Sequence, residues 1–357
     1  MPVHKLVFVV PGELGTLSGG YCYDRHIIAG LGTAGWAIDV VELDAEALGS
    51  GASRRERAAR PIAAVADGAL VVVDGLAFGV MPEVAERHAR RLRWVALVHH
   101  PLALETGLTP QRARALFDSE RRALAAARGV IVTSPATARE LTRYGVAAGR
   151  VHVVLPGTEP AALAAGSGAD AAGRGLSLLC VASLIPRKGH TVLIEALGGL
   201  RDRGWTLHCV GNTTRDPDTT RAVRSAIAAH GLADRVRLHG ELPERTLQAL
   251  YGLADVLVLP SLFEGYGMVL AEALARGLPV VSTTAGAIPD TVPRDAGMLV
   301  PPGDAPALRA ALAALLDEPG LRGRLAAGAR AARSALPTWP RAVSGFAAAL
   351  HAFGTSP

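Results

Sequence analysis

Residues 255–282 read DVLVLPSLFEGYGMVLAEALARGLPVVS. A Val/Leu run at 255–259 stops at Pro260-Ser261, and a second run at 278–282 follows an Ala/Leu-rich stretch of helical length. One strand–helix–strand unit of this kind predicts a parallel pair with the helix as its crossover. Working outward, the alternation recurs. Runs at 176–182, 205–210 and 235–239 precede this unit and 298–300 follows it, while 5–10, 37–43, 69–74, 94–98, 129–133 and 151–155 fill the first half. Near-continuous apolar runs suit strands buried on both faces. Between the two sets lies 161–175, AALAAGSGADAAGRG, small residues without periodic apolar anchors, which read as a linker. The expected fold class is α/β, with two doubly wound halves, 1–160 and 176–336, and a closing stretch, 337–357. In that stretch Trp339, Val343, Phe346 and Leu350 recur at helical spacing. Ligands of such folds bind beyond the carboxyl ends of the strands, so the cleft between the halves is the expected site.

The composition narrows the function. Of 357 residues, 50% are hydrophobic and 19% charged, which excludes a disordered chain. No apolar run approaches the ~18 residues of a spanning helix, and the opening MPVHKLVFVVPGELG reads as a first strand rather than a leader. The net charge of +5 leaves 37 basic residues facing 32 acidic ones, interspersed. Arg54, Arg55, Arg57 and Arg60 enclose Glu56, and Arg87, Arg90, Arg91 and Arg93 follow Glu83 and Glu86. Both clusters read as solvated faces without the aromatics that single-stranded nucleic acid would want, so no nucleic-acid partner is expected. The basic stretch 82–93 likewise lacks an aromatic partner and does not favour membrane docking. Cys22, Cys180 and Cys209 lie far apart, which points to a reducing cytoplasm rather than a disulfide framework or a metal site.

Four segments carry chemistry. The loop PGELGTLSGG, 11–20, opens a helix near Tyr21 and lacks the spacing of a dinucleotide fingerprint or a Walker loop. It reads equally as a phosphate cradle or a plain loop. His99-His100-Pro101 ends the fourth run, and no third ligand lies near in sequence, so no metal is expected. Arg187-Lys188 follows the first run of the second half, where a cation pair can neutralise a phosphate. Glu264 and Glu272 stand eight residues apart around Gly265 and Gly267, with Glu264 ahead of helix amides and Glu272 placed to pair with a vicinal diol.

With these residues the chain resembles a retaining glycosyltransferase of the GT-B fold, family 4 type (glycosyl transferases group 1). PSLFEGYGMVLAEALARGLPVV, 260–281, matches the family's E-x7-E segment and its flanks. The resemblance implies two Rossmann-like domains, the first binding the acceptor and the second the nucleotide sugar, with the last helix crossing back to the N-terminal domain. It implies that Glu272 holds the ribose, Glu264 the donor sugar, and Lys188 the diphosphate. The amides of Tyr266, Gly267, Met268 and Val269 would meet the sugar and diphosphate, Gly19 and Gly20 the phosphates, and His99 the donor sugar beside the transferred carbon. Gly211, Asn212 and Leu242 match positions lining the base pocket, and His100, Leu102 and Glu105 are the acceptor-side candidates. Where the family has Gly-Arg-Leu, this chain has Ala182-Ser183-Leu184, so Arg187 is the expected replacement cation; Asp290 stands where a Glu is usual. The implied reaction is front-face transfer from a nucleoside-diphosphate sugar to a hydroxyl acceptor, with no cofactor and no metal. A GT-B epimerase and a non-catalytic sugar-nucleotide-binding protein are the competing readings; a dehydrogenase lacks its fingerprint. Donor base, donor sugar, acceptor and oligomeric state are not encoded in these motifs.

Overall fold

The computed structural model describes residues 4–48, 51–168 and 175–355. The chain forms two compact units, one of Met1–Gly157 with Pro337–Pro357 and one of Thr158–Leu336. In the first unit the strands are β1 (His4–Pro11), β2 (Trp36–Leu43), β3 (Leu70–Asp74), β4 (Arg93–Val98), β5 (Gly129–Val132) and β6 (Val151–Val153). They pair in parallel in the order β2-β1-β3-β4-β5-β6. The second unit holds β7 (Leu176–Val181), β8 (Trp205–Val210), β9 (Val236–Leu238), β10 (Val256–Leu259), β11 (Val280–Thr283) and β12 (Gly297–Val300). Their order is β12-β11-β10-β7-β8-β9, again parallel. Each apolar run read from the sequence is a strand, within two residues of its expected bounds. Strands β3, β4, β5, β10 and β11 are buried almost throughout, as helices on both faces require.

Strand order places the sites. In the first sheet the direction of winding reverses between β1 and β3, and in the second between β7 and β10. At such a reversal the loops leaving adjacent strands diverge to opposite faces and open a crevice at the carboxyl ends. The loop after β1 carries the glycines of 11–20, and that after β7 carries Arg187-Lys188.

The small-residue stretch expected to be a linker begins as part of the second unit. Ala164 and Ala165 donate backbone bonds to Arg276 and Gly252, at 2.9 Å each, and the Ser167 hydroxyl donates to Asp255 at 2.6 Å. Residues 169–174 of that stretch lie outside the described residues. Of the basic clusters, Arg87 pairs with Glu56 of the other cluster, while Glu86 takes Arg122, from outside both, at 2.8 Å. No helix among the described residues is long and apolar enough to cross a membrane.

Helix Trp339–Thr355 belongs to the first unit. Trp339 stacks on His26 at 3.9 Å, and Phe346, fully buried, lies against Phe8 and Tyr23 at 6.4 Å each. Truncating a fully buried Phe costs ~3–5 kcal/mol. Phe346→Ala is therefore expected to lower the denaturant midpoint of the first unit; an unchanged midpoint would remove this helix from that core.

Candidate active site

In the second unit the site starts from a close approach of two backbones. The turn Pro186–Lys188 after β7 is followed by Gly189, at φ +68°, which opens helix His190–Gly198. A Cβ there would lie 2.2 Å from the Pro260 carbonyl oxygen, so only glycine lets this loop rest on the exit of β10. The Leu262 amide donates to the Arg187 carbonyl at 2.7 Å and ties the two loops. Strand β11 supports them, since the Thr283 hydroxyl donates to the Ser261 carbonyl at 2.6 Å.

That scaffold brings Lys188, Arg187 and Glu264 together. Lys188 Nζ donates to Glu264 Oε1 at 2.6 Å, and the Ser261 hydroxyl donates to the same oxygen at 2.5 Å. Arg187 Nη1 donates to the Phe263 carbonyl at 3.0 Å and lies 3.6 Å from Glu264 Oε2. Burial of Glu264, 5% exposed, pushes its carboxyl up, but Lys188 and Arg187 outweigh that and hold it below its ordinary range. Two cations on one carboxylate leave a formal charge of +1, suited to an anionic ligand.

Gly265, Tyr266 and Gly267 lead into helix Met268–Ala275, which no side chain caps. The orphan first-turn amides of a helix favour an anion. Glu272, on this helix, accepts the Tyr251 hydroxyl at 2.8 Å, while Arg276 lies 4.2 Å from the Tyr251 ring centroid. Burial raises the Glu272 carboxyl, opposed by Tyr251 and Arg276. Gly211 follows β8 with its amide bonded to Gly240 at 2.9 Å, and the Asn212 carbonyl accepts from Leu184 at 2.8 Å. Asn212 Oδ1 accepts the amides of Thr214 and Arg215, at 2.9 and 2.6 Å, so its side chain builds its own turn. Leu242 is half-buried against the core. Asp290 is exposed in the short helix Ile288–Thr291, and the Ala287 amide just before that helix donates to the Glu264 carbonyl at 2.9 Å.

In the first unit Ser18 caps helix Gly19–Thr33, placing Gly19 and Gly20 in its first turn. A Cβ on Gly20 would lie 3.4 Å from the His99 ring, so these two predicted residues are neighbours. The fold also supplies what the sequence lacked beside His99: Asp24 Oδ1 and Asp74 Oδ2 each lie 3.4 Å from its Nε2. His100 Nε2 is 3.4 Å from Glu105 Oε2. Leu102 opens the turn Leu102–Leu104, its amide donating to Glu120 Oε2 at 2.9 Å. Ser261, Tyr251, Asp24, Asp74 and Glu120 were not singled out from the sequence.

A model of glycosyl transferases group 1 matches residues 175–318, and one of glycosyltransferase family 4 matches residues 53–162. The chain belongs to these glycosyltransferases. A D-inositol 3-phosphate glycosyltransferase of Xylanimonas cellulosilytica is 34% identical over 67% of this chain and 63% of its own length. An MMP alpha-(1->4)-mannosyltransferase of Mycolicibacterium hassiacum is 30% identical over 63% of the chain and 57% of its own length. The matches thus span about three-fifths of these curated relatives. Among solved structures, a sucrose-phosphate synthase of Thermosynechococcus elongatus aligns with TM-score 0.83 at 24% identity, over 99% of this chain and 100% of that one. Anabaena Alr3699/HepE in complex with UDP-glucose aligns with TM-score 0.75 at 19% identity, over 98% and 99%. At these identities the structures establish the shared GT-B fold, which the two parallel six-stranded sheets of this chain show directly.

Glu120 gives a pH test of the turn Leu102–Leu104. Burial carries its carboxyl from an ordinary 4.5 to about 8, against the Leu102 amide and the Tyr144 hydroxyl. Because the folded state then holds a proton that the unfolded chain releases, stability falls as pH rises between these two values. Glu120→Gln keeps an acceptor for Leu102 and lacks this loss. Its advantage over the parent in thermal or denaturant unfolding is expected to grow from pH 5 to pH 8.5, to more than about 1 kcal/mol. A difference independent of pH would show that Glu120 is ionised in the folded state.

Proposed function

We propose that the chain transfers a sugar, with retention at the anomeric carbon, from a nucleoside-diphosphate sugar to a hydroxyl acceptor without a metal ion. The observation that carries the reading is the cluster of half-buried Lys188 and Arg187 on buried Glu264, beside an uncapped helix N-terminus. Departure of a diphosphate builds negative charge on the leaving oxygen, and fixed donors in a dry site stabilise such charge by roughly 3–4 kcal/mol each. Lys188 is the principal donor. Arg187, 14% exposed and held on the Phe263 carbonyl, supplies the second cation that Ser183 does not. The amides of Gly267, Met268 and Val269 complete the anion corner, and Glu272 pairs with the ribose diol. Glu264, held ionised by the two cations, accepts from the donor-sugar hydroxyls.

Retention follows if the leaving phosphate itself takes the acceptor's proton on the face it departs from. No pair of catalytic carboxylates is then required, unlike glycoside hydrolysis. In this reading His99 of the first unit is a substrate-contacting residue, and the turn Leu102–Leu104 is on the acceptor side. The inositol-phosphate and mannosyl transferases among the relatives favour a polyol or sugar hydroxyl as acceptor.

A panel of sugar nucleotides and polyol acceptors tests this reading. Nucleoside diphosphate is expected only when both substrates are present, with a product whose anomeric coupling matches the donor and a rate unchanged by EDTA. Lys188→Ala is expected to lower kcat about 10²–10³-fold, with Arg187→Ala also impaired. Epimerised donor without transfer, binding without turnover, or a loss in EDTA restored by metal would each overturn it.

A further inference from the structure

We propose that Asp24 and Asp74 are positioning residues for His99: from two separate elements they flank its Nε2, fix the ring by that nitrogen and keep it a cation beside Gly20. The catalytic consequence rests on the proposed role of His99, whereas the state of the ring does not.

The geometry leaves the ring little choice. Asp24 comes from helix Gly19–Thr33 with no exposed surface, and Asp74 from the end of β3 with 3%. Asp74 divides its carboxylate, Oδ1 accepting the Leu76 amide at 2.7 Å and Oδ2 facing His99. Neither Asp24 oxygen, nor His99 Nε2, has a hydrogen bond to another described group. With both carboxylates ionised, both neighbours of Nε2 are acceptors, and a bare Nε2 would bring three acceptors together; the proton then sits on Nε2, which fixes the tautomer. Two carboxylates in an apolar interior also require a counter-cation, and the imidazole lies between them.

The surrounding charges agree. Burial pushes the His99 imidazole down, and the two carboxylates carry it up to about 10; burial lifts Asp24 to about 6. On the same helix, Arg25 bonds to the Leu14 and Thr16 carbonyls, and the Tyr23 hydroxyl donates to Val154 at 3.2 Å. The Tyr23 ring meets His99 edge-on at 5.4 Å. Just after β5 and in the helix that follows it, the Thr133 and Thr137 hydroxyls donate to the His99 carbonyl at 3.3 and 3.5 Å. His100 and Glu105 form the remaining pair in this loop. Because Nε2 is buried, the 19% of the His99 side chain that stays exposed lies elsewhere on the ring. A charged ring also carries an Nδ1–H, a donor of the kind that a phosphate oxygen or a sugar hydroxyl accepts.

The test is a long-range 1H–15N correlation of the histidine rings against pH, with the His99 signal assigned by its loss in His99→Gln. In the parent, both His99 nitrogens are expected to stay protonated through pH 8.5. Asp24→Asn and Asp74→Asn, nearly isosteric and with Asn able to keep the Leu76 cap, are expected to lower the midpoint by a pH unit or more. The alkaline limb of kcat should move with it, about tenfold in rate per unit once past the new midpoint, with KM little changed. If one variant fails to fold, the other carries the test. A His99 ring neutral at pH 7.5, or an unmoved midpoint in the variants, overturns the proposal. So does a stoichiometric metal in the purified protein with metal-bound nitrogen shifts, since these three side chains place ligand atoms within 4.8 Å of one another. Because the rings are read without donor, failure of the transferase reading would leave this result standing.

Discussion

An ionised carboxylate at 5% exposure needs cations within reach, and in the second unit Glu264 has two. The arrangement depends on strand order. Lys188 follows β7 and Glu264 follows β10, so their side chains can meet only because β7 and β10 are neighbours in the sheet. It depends equally on Gly189, whose missing Cβ lets the two loops touch. Breaking such a pair by removing one partner costs far more than the pair contributes to stability, because a lone buried charge remains. A buried triad of this kind is better suited to poising charge than to holding a fold together.

The first unit repeats the scheme with the signs exchanged. There two carboxylates enclose one imidazole at the reversal of a parallel sheet, where the second unit sets two cations on one carboxylate. In both, the loop leaving the first strand runs into a helix N-terminus, and a charged group stands beside it. In the proposed reaction both supply fixed charge in advance of the substrate, the condition under which electrostatic stabilisation is largest.

Much of this was legible in the chain itself. Strands buried on both faces show as unbroken Val/Leu/Ile runs, and each strand among the described residues coincides with a run read from the sequence. Glu264, Glu272 and Lys188 stood out because glycine, proline and charge cluster at strand exits, where a sequence motif and a site coincide. Asp24 and Asp74 did not. Asp24 lies inside a helix, where one acid among apolar neighbours reads as surface charge, and Asp74 ends a run as an ordinary helix cap. They become partners of His99 only through the pairing of β1, β3 and β4, which local pattern does not carry. Tyr251 escaped for the same reason, since it supports a carboxylate that another helix delivers; Ser261 supports Glu264 from three residues earlier in the same loop, where a lone serine carries no signal of its own. Small residues without periodicity read as a linker over 161–175, and the backbone bonds of Ala164 and Ala165 to Arg276 and Gly252 carry no side-chain signal that a sequence could show.

Lys188, paired with Glu264 in the free protein, is the cation that meets the diphosphate in the proposed reaction. Calorimetric titration of nucleoside diphosphate into the parent, Glu264→Gln and Lys188→Ala proteins tests it most directly. Releasing Lys188 from its carboxylate should leave the affinity of Glu264→Gln for bare diphosphate equal to the parent's or higher, while Lys188→Ala should lose about tenfold or more, the weight of one charge-assisted hydrogen bond. Equal affinities for the parent and Lys188→Ala would contradict the account.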